Sequence, residues 1–211
     1  MLQTDSEIIV QPGQWHHLPS PYFYHATDGQ PATHRTQVRL RLTPSTLQLA
    51  FDCLDAPFHG ANTYHEHNTD LWRQEVFELF IAEGAATPTR YLELELNPNN
   101  ALFVGWIDNP NGLRPDHLAF VPYAEAGIRH RVTRQAGSWS GELEVPLSLI
   151  GPQSTSIYRL NFYRITLLHQ PETKRWECDP TNCAFLGWRS TLSGERPAFH
   201  RPAYFGTLRI A

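Results

Sequence analysis

Short runs of alternating apolar and polar residues recur along the chain, and they restrict the fold more than any other feature of the sequence. Such alternation is typical of β-strands, because successive side chains of a strand point to opposite faces. No window of ordinary helix length keeps an apolar period of 3.6 residues, and the best short helical candidate is PLSLI. The alternating runs are EIIV, TQVRLRL, LQLAFDCL, EVFELFIA, RYLELELN, ALFVGWI, IRHRVTR, WSGELEV, YRLNFYRIT and YFGTLRI.

The spacing of these runs indicates the fold class. Among them stand 17 prolines and 13 glycines, which mark turns. Many short strands without helices to cover a parallel sheet predict an all-β, single-domain antiparallel β-sandwich, jelly-roll or immunoglobulin-like, with about ten strands and little helix. We expect one domain over residues 1–211, with a long irregular stretch from about Leu168 to Arg201 that carries function or contains unrecognised structure.

Composition narrows the classes of partner. The net charge of −4, from 17 basic and 21 acidic residues, provides no positive field for nucleic acid. No segment approaches 18 consecutive apolar residues, so we expect no membrane association. The N-terminal segment carries no secretion signal, and the three cysteines, Cys53, Cys178 and Cys183, suit free thiols. The sequence therefore predicts a cytoplasmic protein.

One predicted strand, RYLELELN, carries a row of polar side chains on one face. Tyr91, Glu93, Glu95 and Asn97 alternate with leucines, so an acidic and amide face would lie opposite an oily one. Such a row either faces solvent or presents hydrogen-bonding groups to a polar small molecule. Sugars need a surface of this kind, because each hydroxyl group is both a donor and an acceptor.

Charged residues also interrupt two other apolar strands. In QEVFELFIA, Glu75 shares a face with the apolar residues, whereas Glu78 lies on the other face; in YRLNFYRIT, Arg164 lies on an apolar face. Two interpretations stay open. Glu78 and Arg164 pair with each other on a strand surface, or they join the polar row in a ligand slot.

Aromatic residues favour the second interpretation. Sugar sites use flat rings against the apolar face of the pyranose, and the chain has six tryptophans. Trp72 comes just before the acidic strand, and Trp176 lies in the long irregular stretch, where a core role is least expected. We expect these two rings to face a ligand, whereas Trp106 and Trp139 alternate within strands and serve packing.

The order of these motifs resembles the family 9 carbohydrate-binding modules and related DOMON-like sandwich domains over roughly residues 36–211. The resemblance implies a sandwich in which Trp72 and Trp176 enclose a sugar while Glu78 and Arg164 hold its hydroxyl groups. It implies calcium for some relatives, for which DCLDAP and the loop around Asp70 offer oxygen ligands, and haem for others; Met1 is the only methionine, so haem is not expected. The residues that carry the resemblance are Trp72, Glu75, Glu78, Tyr91, Glu93, Glu95, Asn97, Pro98, Arg159, Asn161, Phe162, Arg164, Trp176, Pro180, Thr181, Phe199, His200, Pro202, Phe205 and Gly206.

Other functions remain open at this point. His65 and His67 have a spacing that can hold a transition metal, but no third ligand is identifiable. Glu78, Glu93 and Glu95 could supply the carboxylate pair of a glycoside-acting enzyme. An exposed sheet edge could serve a protein-interaction module. The sequence favours a non-catalytic domain that binds a small sugar or sugar-like ligand without a cofactor, in an oligomeric state that the sequence does not define.

Overall fold

The computed structural model describes residues 7–211, which fold as 14 β-strands and one short α-helix. Met1, on which the haem expectation depends, and the start of the N-terminal segment lie outside these residues. Short 3-10 helices cover His59–Ala61, Leu71–Arg73 and Pro202–Tyr204. The strands are β1 (Glu7–Val10), β2 (His16–His17), β3 (Tyr22–His25), β4 (Pro31–Leu42), β5 (Thr46–Cys53), β6 (Val76–Glu83), β7 (Arg90–Leu96), β8 (Leu102–Asp108), β9 (His117–Phe120), β10 (Arg129–Gln135), β11 (Ser138–Pro146), β12 (Ile157–Leu167), β13 (Cys183–Gly187) and β14 (Gly206–Ile210), with α1 at Leu147–Ile150.

The strands form two layers that share strand β4. The smaller layer has the order β10-β11-β5-β4-β2, and the larger layer continues from β4 through β3-β13-β12-β6-β7-β8-β9, with β14 on β12 and β1 on β14. Strand β4 is 12 residues long, so its first part pairs with β3 and its last part pairs with β5. The pairings are antiparallel except for β1 with β14, which is parallel. The predicted antiparallel sandwich is confirmed.

The main core lies between the layers. Phe51 on β5 stacks on Phe77 on β6, with ring centroids 3.8 Å apart. Gly141 on β11 lies where this contact needs room, because a Cβ atom there would stand 2.3 Å from the Phe51 ring. The leucines that alternate with the acidic row, Leu92, Leu94 and Leu96, point into the same core. The oily face of RYLELELN is thus the inner face of the larger layer.

The opposite face of the larger layer is also covered. A second apolar cluster lies there, formed by side chains such as Phe80, Phe103, Tyr163 and Phe205 together with residues of the loops that cross the sheet. The acidic row of β7 points toward this covered outer face, because it alternates with the core leucines. This arrangement removes the row from bulk solvent.

The sequence patterns located most of these elements. Each of the ten alternating runs overlaps a strand, and PLSLI contains α1. The patterns missed β2, β3, β9 and β13, which have only 2, 4, 4 and 5 residues. Runs this short carry few alternations, so only some of them, such as β1 and β14, are recognised. Strand β13 lies within the stretch expected to be irregular.

The prediction of three free thiols is wrong. Cys178 and Cys183 form a disulfide bond five residues apart in sequence, and Cys53 is a buried free thiol. The spacing of the two cysteines matches no known disulfide or metal motif. The chain turns back just before β13, which begins at Cys183, so that Cys183 lies next to Cys178. Within residues 7–211, no helix is long and apolar enough to cross a membrane.

Candidate functional site

A cleft of about 450 Å³ opens on the outer face of the larger layer. Its floor consists of side chains from β6, β7, β8 and β12, and its walls come from the Leu71–Arg73 turn, the segment before β9 and the segment before the last 3-10 helix. The lining residues are Asp70, Trp72, Glu78, Glu93, Glu95, Phe103, Ile107, Pro115, Leu118, Ile165, Phe185, Pro197, Ala198, Phe199 and His200.

Three carboxyl groups form the polar part of the floor. Glu78 on β6 is the register partner of Glu95 on β7. Glu93 lies two residues before Glu95 on the same strand. All three side chains are buried. One oxygen of Glu78 and both oxygens of Glu95 lack a hydrogen-bond partner of good geometry within the protein. Buried polar atoms are nearly always paired, so these oxygens indicate a ligand.

Burial also changes the proton affinity of this group. Loss of hydration raises the pKa of Glu93 to about 8 and raises the pKa of Glu78 and of Glu95 well above the usual range. The negative charge of Glu93 raises the pKa of Glu78 further. Since no positive side chain lines this floor, at least part of the group holds protons at neutral pH in the free protein.

Trp72 forms the rim of the cleft. It lies in the Leu71–Arg73 turn just before β6, and its side chain is 47% exposed. The Arg73 guanidinium lies 4.9 Å from the centre of the Trp72 ring and is held there by Asp70 and Glu177, each at 2.9 Å. A half-exposed ring fixed in this way offers a stacking surface for an apolar face of a ligand.

The opposite wall comes from the C-terminal segment and was not identified from sequence. Phe199 stacks on Tyr163, whose hydroxyl donates to the Phe199 carbonyl at 2.9 Å. His200 Nδ1 is 2.8 Å from the Tyr91 hydroxyl, and burial lowers the pKa of His200 to about 4, so this ring is neutral at pH 7. Asn109 Nδ2 donates to the His200 carbonyl. In the sequence, Phe199 and His200 were noted only among the residues that carry the family resemblance and were not predicted to bind a ligand.

The structure brings four of the predicted site residues together in the cleft: Trp72, Glu78, Glu93 and Glu95. Tyr91 and Asn97 are on the same face of β7, but both support neighbouring segments. Tyr91 holds His200, and Asn97 Nδ2 donates to the Tyr64 carbonyl while its Oδ1 accepts from the Ala101 N–H.

Glu75 and Arg164 do not lie in the cleft, which corrects their predicted place in the ligand slot. Their side chains point between the two layers and are fully buried, with Arg164 Nη2 at 3.7 Å from Glu75 Oε1. Trp139 Nε1 donates to Glu75 at 2.8 Å. Nor does Arg164 pair with Glu78, because the two side chains project from opposite faces of the sheet.

Trp176 and Thr181 also lie apart from the cleft lining. Trp176 is only 7% exposed, and its Nε1 donates to the Ala61 carbonyl at 2.9 Å. Its ring therefore supports the second apolar cluster and does not face Trp72 across a slot, as the sequence suggested. Thr181 is exposed, and its hydroxyl and N–H both donate to Asp179 within the disulfide loop.

The two histidines suggested for a transition metal differ in their surroundings. His67 accepts a hydrogen bond from the Leu102 N–H and stacks on Tyr123, and His65 lines a different depression. Among residues 7–211, no three His, Cys, Asp or Glu side chains form a group that could hold a metal ion.

Two of the carboxylates suggested for calcium, Asp55 and Asp70, are paired with arginines. Asp55 accepts two hydrogen bonds from the Arg35 guanidinium, which holds its pKa well below the usual range, and Asp70 pairs with Arg73. These carboxylates do not fit a calcium site, because arginine already occupies their oxygens.

Several solved structures have a similar architecture. A candidate carbohydrate-binding protein from Bacteroides uniformis ATCC 8492 superposes with a TM-score of 0.67 at 18% identity, over 94% of this chain and 86% of that one. A family 9 carbohydrate-binding module from Caldicellulosiruptor kristjanssonii, in complex with glucose, superposes with a TM-score of 0.58 at 15% identity, over 97% and 95%. The chain has the fold of the family 9 carbohydrate-binding modules. The Caldicellulosiruptor module in complex with cellotriose matches this CBM9-like chain with a TM-score of 0.57 at 12% identity, over 97% and 93%.

Sequence comparison adds a different kind of finding. No protein-family model matches the chain. A curated relative from Arthroderma benhamiae, named as an extracellular protein, is 33% identical over 141 residues, and the match covers 62% of this chain and 63% of the relative. The chain thus spans less than two thirds of that relative's length. The prediction of a cytoplasmic protein is wrong: this relative is extracellular, and the Cys178–Cys183 disulfide is typical of oxidising compartments.

Proposed function

We propose that this CBM9-like protein binds a small saccharide noncovalently in the cleft between Trp72 and the C-terminal wall. One observation carries the proposal: one buried oxygen of Glu78 and both buried oxygens of Glu95 lack a hydrogen-bond partner of good geometry within the protein, and these side chains line an open cleft. Leaving such atoms unpaired is unfavourable, and a ligand rich in hydrogen-bond donors relieves that cost.

The shape of the cleft suits the two kinds of surface that a sugar ring presents. Hydroxyl groups on the ring edge can donate to Glu78, Glu93 and Glu95 on the floor. The apolar C–H face can lie against Trp72, and Phe199 and Leu118 provide apolar contacts on the other walls. The complexes of similarly folded modules with glucose and with cellotriose support this assignment of ligand class.

The state of the carboxyl groups favours binding over hydrolysis. A glycoside hydrolase needs one protonated carboxyl as acid and one ionised carboxylate as nucleophile or base, with pKa values set apart by their surroundings. Here burial raises the pKa of Glu78, Glu93 and Glu95 alike. The raised pKa values favour the protonated form of these groups, which suits hydrogen bonding to the hydroxyl groups of a sugar.

The decisive contact to test is the stacking on Trp72. We expect Trp72→Ala to weaken saccharide binding by about 1–3 kcal/mol. The exposed surface of the ring is removed from water only when a ligand covers it, and the variant loses that favourable burial. Isothermal titration calorimetry with glucose, xylose and short cello- and xylo-oligosaccharides would measure this loss. Folding should be retained, since the ring is half exposed in the free protein.

Trp15→Ala is the matched control. Trp15 is a comparably exposed tryptophan, at 38%, that lies on the outer face of the smaller layer against Arg39 and Arg41. Its removal should leave saccharide affinity unchanged. If both variants lose affinity equally, or if neither does, the ligand does not stack on Trp72 and the proposed site is wrong.

A further inference from the structure

The ionisable side chains that line the cleft are nearly all acidic. Four of its lining residues carry carboxyl groups, namely Asp70, Glu78, Glu93 and Glu95, and no lysine or arginine is among the lining residues. The basic group in the lining is His200, which is neutral at pH 7. A neutral sugar could satisfy hydrogen bonds here, but it brings no charge that would favour the ionised form of the three buried glutamates.

Two arginines on the elements that form the cleft are engaged elsewhere. Arg73, on the rim, is engaged by Asp70 and Glu177 and lies over the Trp72 ring. Arg164 crosses to the other face of the sheet. Tyr91 and Tyr163, which pack beside the floor, are neutral because burial raises their pKa values. Among the described residues that line the cleft, none carries a positive charge that would pair with the floor at pH 7.

The carboxylate oxygens themselves show where a cation would bind. Both oxygens of Glu95 and one of Glu78 are buried without a hydrogen-bond partner of good geometry, and these two side chains are opposite each other across the β6–β7 pair. Glu93 is next to them on the same face of β7. A compact ammonium group has three donors and can reach several carboxylates at once. A transition metal is disfavoured by the lack of a suitable ligand cluster among the described residues.

We propose, on the basis of the saccharide-binding function above, that the preferred ligand is an aminosugar whose protonated amine binds between Glu78, Glu93 and Glu95. The ammonium group takes the place of protons that the three carboxyl groups hold in the free protein, and these protons pass to the buffer when the ligand binds. The uncharged ring of the same ligand lies against Trp72. Charge-assisted hydrogen bonds of this kind are about twice as strong as neutral ones.

The test compares three monosaccharides that differ at one ring position. Calorimetric titration with glucosamine hydrochloride, glucose and N-acetylglucosamine, at equal ionic strength and at a pH where the amine is protonated, should show at least about tenfold tighter binding of glucosamine, a modest value for a close charge pair. N-acetylglucosamine keeps the nitrogen but removes the charge. Titrations in two buffers of different ionisation enthalpy should show proton release with glucosamine only.

A variant then tests whether the preference for glucosamine over glucose depends on the buried carboxyl groups. Glu93→Gln keeps the shape of the side chain and removes one acidic group, so the ratio of glucosamine to glucose affinity should fall several-fold. Glu142→Gln is the control, since Glu142 is on the smaller layer in an exposed pair with Arg131 and should leave the ratio unchanged. Glu78→Gln serves as a second test if melting curves show that Glu93→Gln does not fold.

The outcomes separate this inference from the function on which it rests. Equal binding of glucose and glucosamine, or an unchanged ratio in the folded glutamine variants, overturns the aminosugar inference and leaves saccharide binding intact. If none of the three sugars nor any oligosaccharide binds, both proposals fail.

Discussion

At the scale of single residues, the molecule buries acidic groups on both sides of one sheet and treats them differently. On the inner face, Glu75 accepts hydrogen bonds from Trp139 and from the Leu167 N–H and lies next to Arg164. On the outer face, Glu78 and Glu95 lack such partners. The inner group is therefore satisfied by the fold, whereas the outer group is incomplete without a proton or a ligand.

The outer carboxyl groups give the stability of the protein a characteristic pH dependence. Burial raises the pKa of Glu93 from its ordinary value of 4.5 to about 8, so the folded protein keeps a proton that the unfolded chain releases. The contribution of this proton to the free energy of unfolding is complete below pH 4.5 and is lost as the pH rises through 8. His34, His130 and His200 have lowered pKa values, so their opposite contributions are complete above their ordinary value of 6.5.

We therefore expect the free energy of unfolding to fall between pH 6.5 and 8, by up to about 1.4 kcal/mol per pH unit for each proton held. Urea unfolding across this range would measure the change. Glu93→Gln should flatten the dependence, and Glu142→Gln should not. A stability that is constant or rises over this range in the wild type would contradict the raised pKa values.

Residue identity alone could predict part of this site. Alternation placed Glu93 and Glu95 on one face of RYLELELN and placed Glu78 opposite Glu75 in QEVFELFIA, because strand parity is a local property. It could not place Arg164, since parity does not say which face of a strand becomes the inner one. It also could not place Trp176, because the burial of a loop residue depends on what the loop packs against.

At the scale of elements, Arg164 joins strands that are distant in sequence. From β12, its Nη1 donates to the Arg35 carbonyl and to Thr36 Oγ1 on β4, at 2.9 and 3.2 Å, and its Nη2 donates to Thr166. Glu75, just before β6, also accepts from Trp139 on β11. The pair thus connects the larger layer to the smaller one near the point where β4 passes between them.

This connection predicts a stability effect without a direct binding effect. Arg164→Met should lower the free energy of unfolding by about 3–5 kcal/mol, because it leaves Glu75 buried without its cation. Chemical denaturation would measure the loss, and Arg129→Met, which removes an exposed partner of Glu144, should have little effect. Saccharide affinity of folded Arg164→Met should match the wild type. If Arg164→Met stays stable but loses saccharide affinity, Arg164 contacts the ligand and this interpretation is wrong.

Element length explains what the sequence could show at this scale. Long strands with one apolar face, such as β4, β11 and β12, carry enough alternations to be recognised. Strand β13 was missed because it is short and buried on both sides, so its residues, CAFLG, do not alternate. Its position between β12 and β3 nevertheless connects the shared strand β4, through β3, to the rest of the larger layer.

At the scale of the whole molecule, the long segment after β12 determines the shape of the site. It crosses the outer face of the larger layer and contributes Phe199 and His200 to the cleft. Sequence alternation carries no information on such a segment, because its conformation follows from contacts with distant residues. The same segment holds the Trp72 turn, since the Cys178 N–H donates to the Arg73 carbonyl at 2.7 Å and Gln74 Nε2 donates to the Trp176 carbonyl at 2.9 Å.

The Cys178–Cys183 disulfide closes this segment next to β13, and its removal should weaken the support of the Trp72 turn. Replacing both cysteines by serine should lower the free energy of unfolding by about 2 kcal/mol, the chain-entropy value for a loop of this length. Denaturant titration would measure it, and reductant should destabilise the wild type but not the double variant. Thiol titration of the unreduced, unfolded wild type should find one thiol, that of Cys53, and three after reduction. Three thiols before reduction would show that the segment is not closed by a disulfide in the native protein.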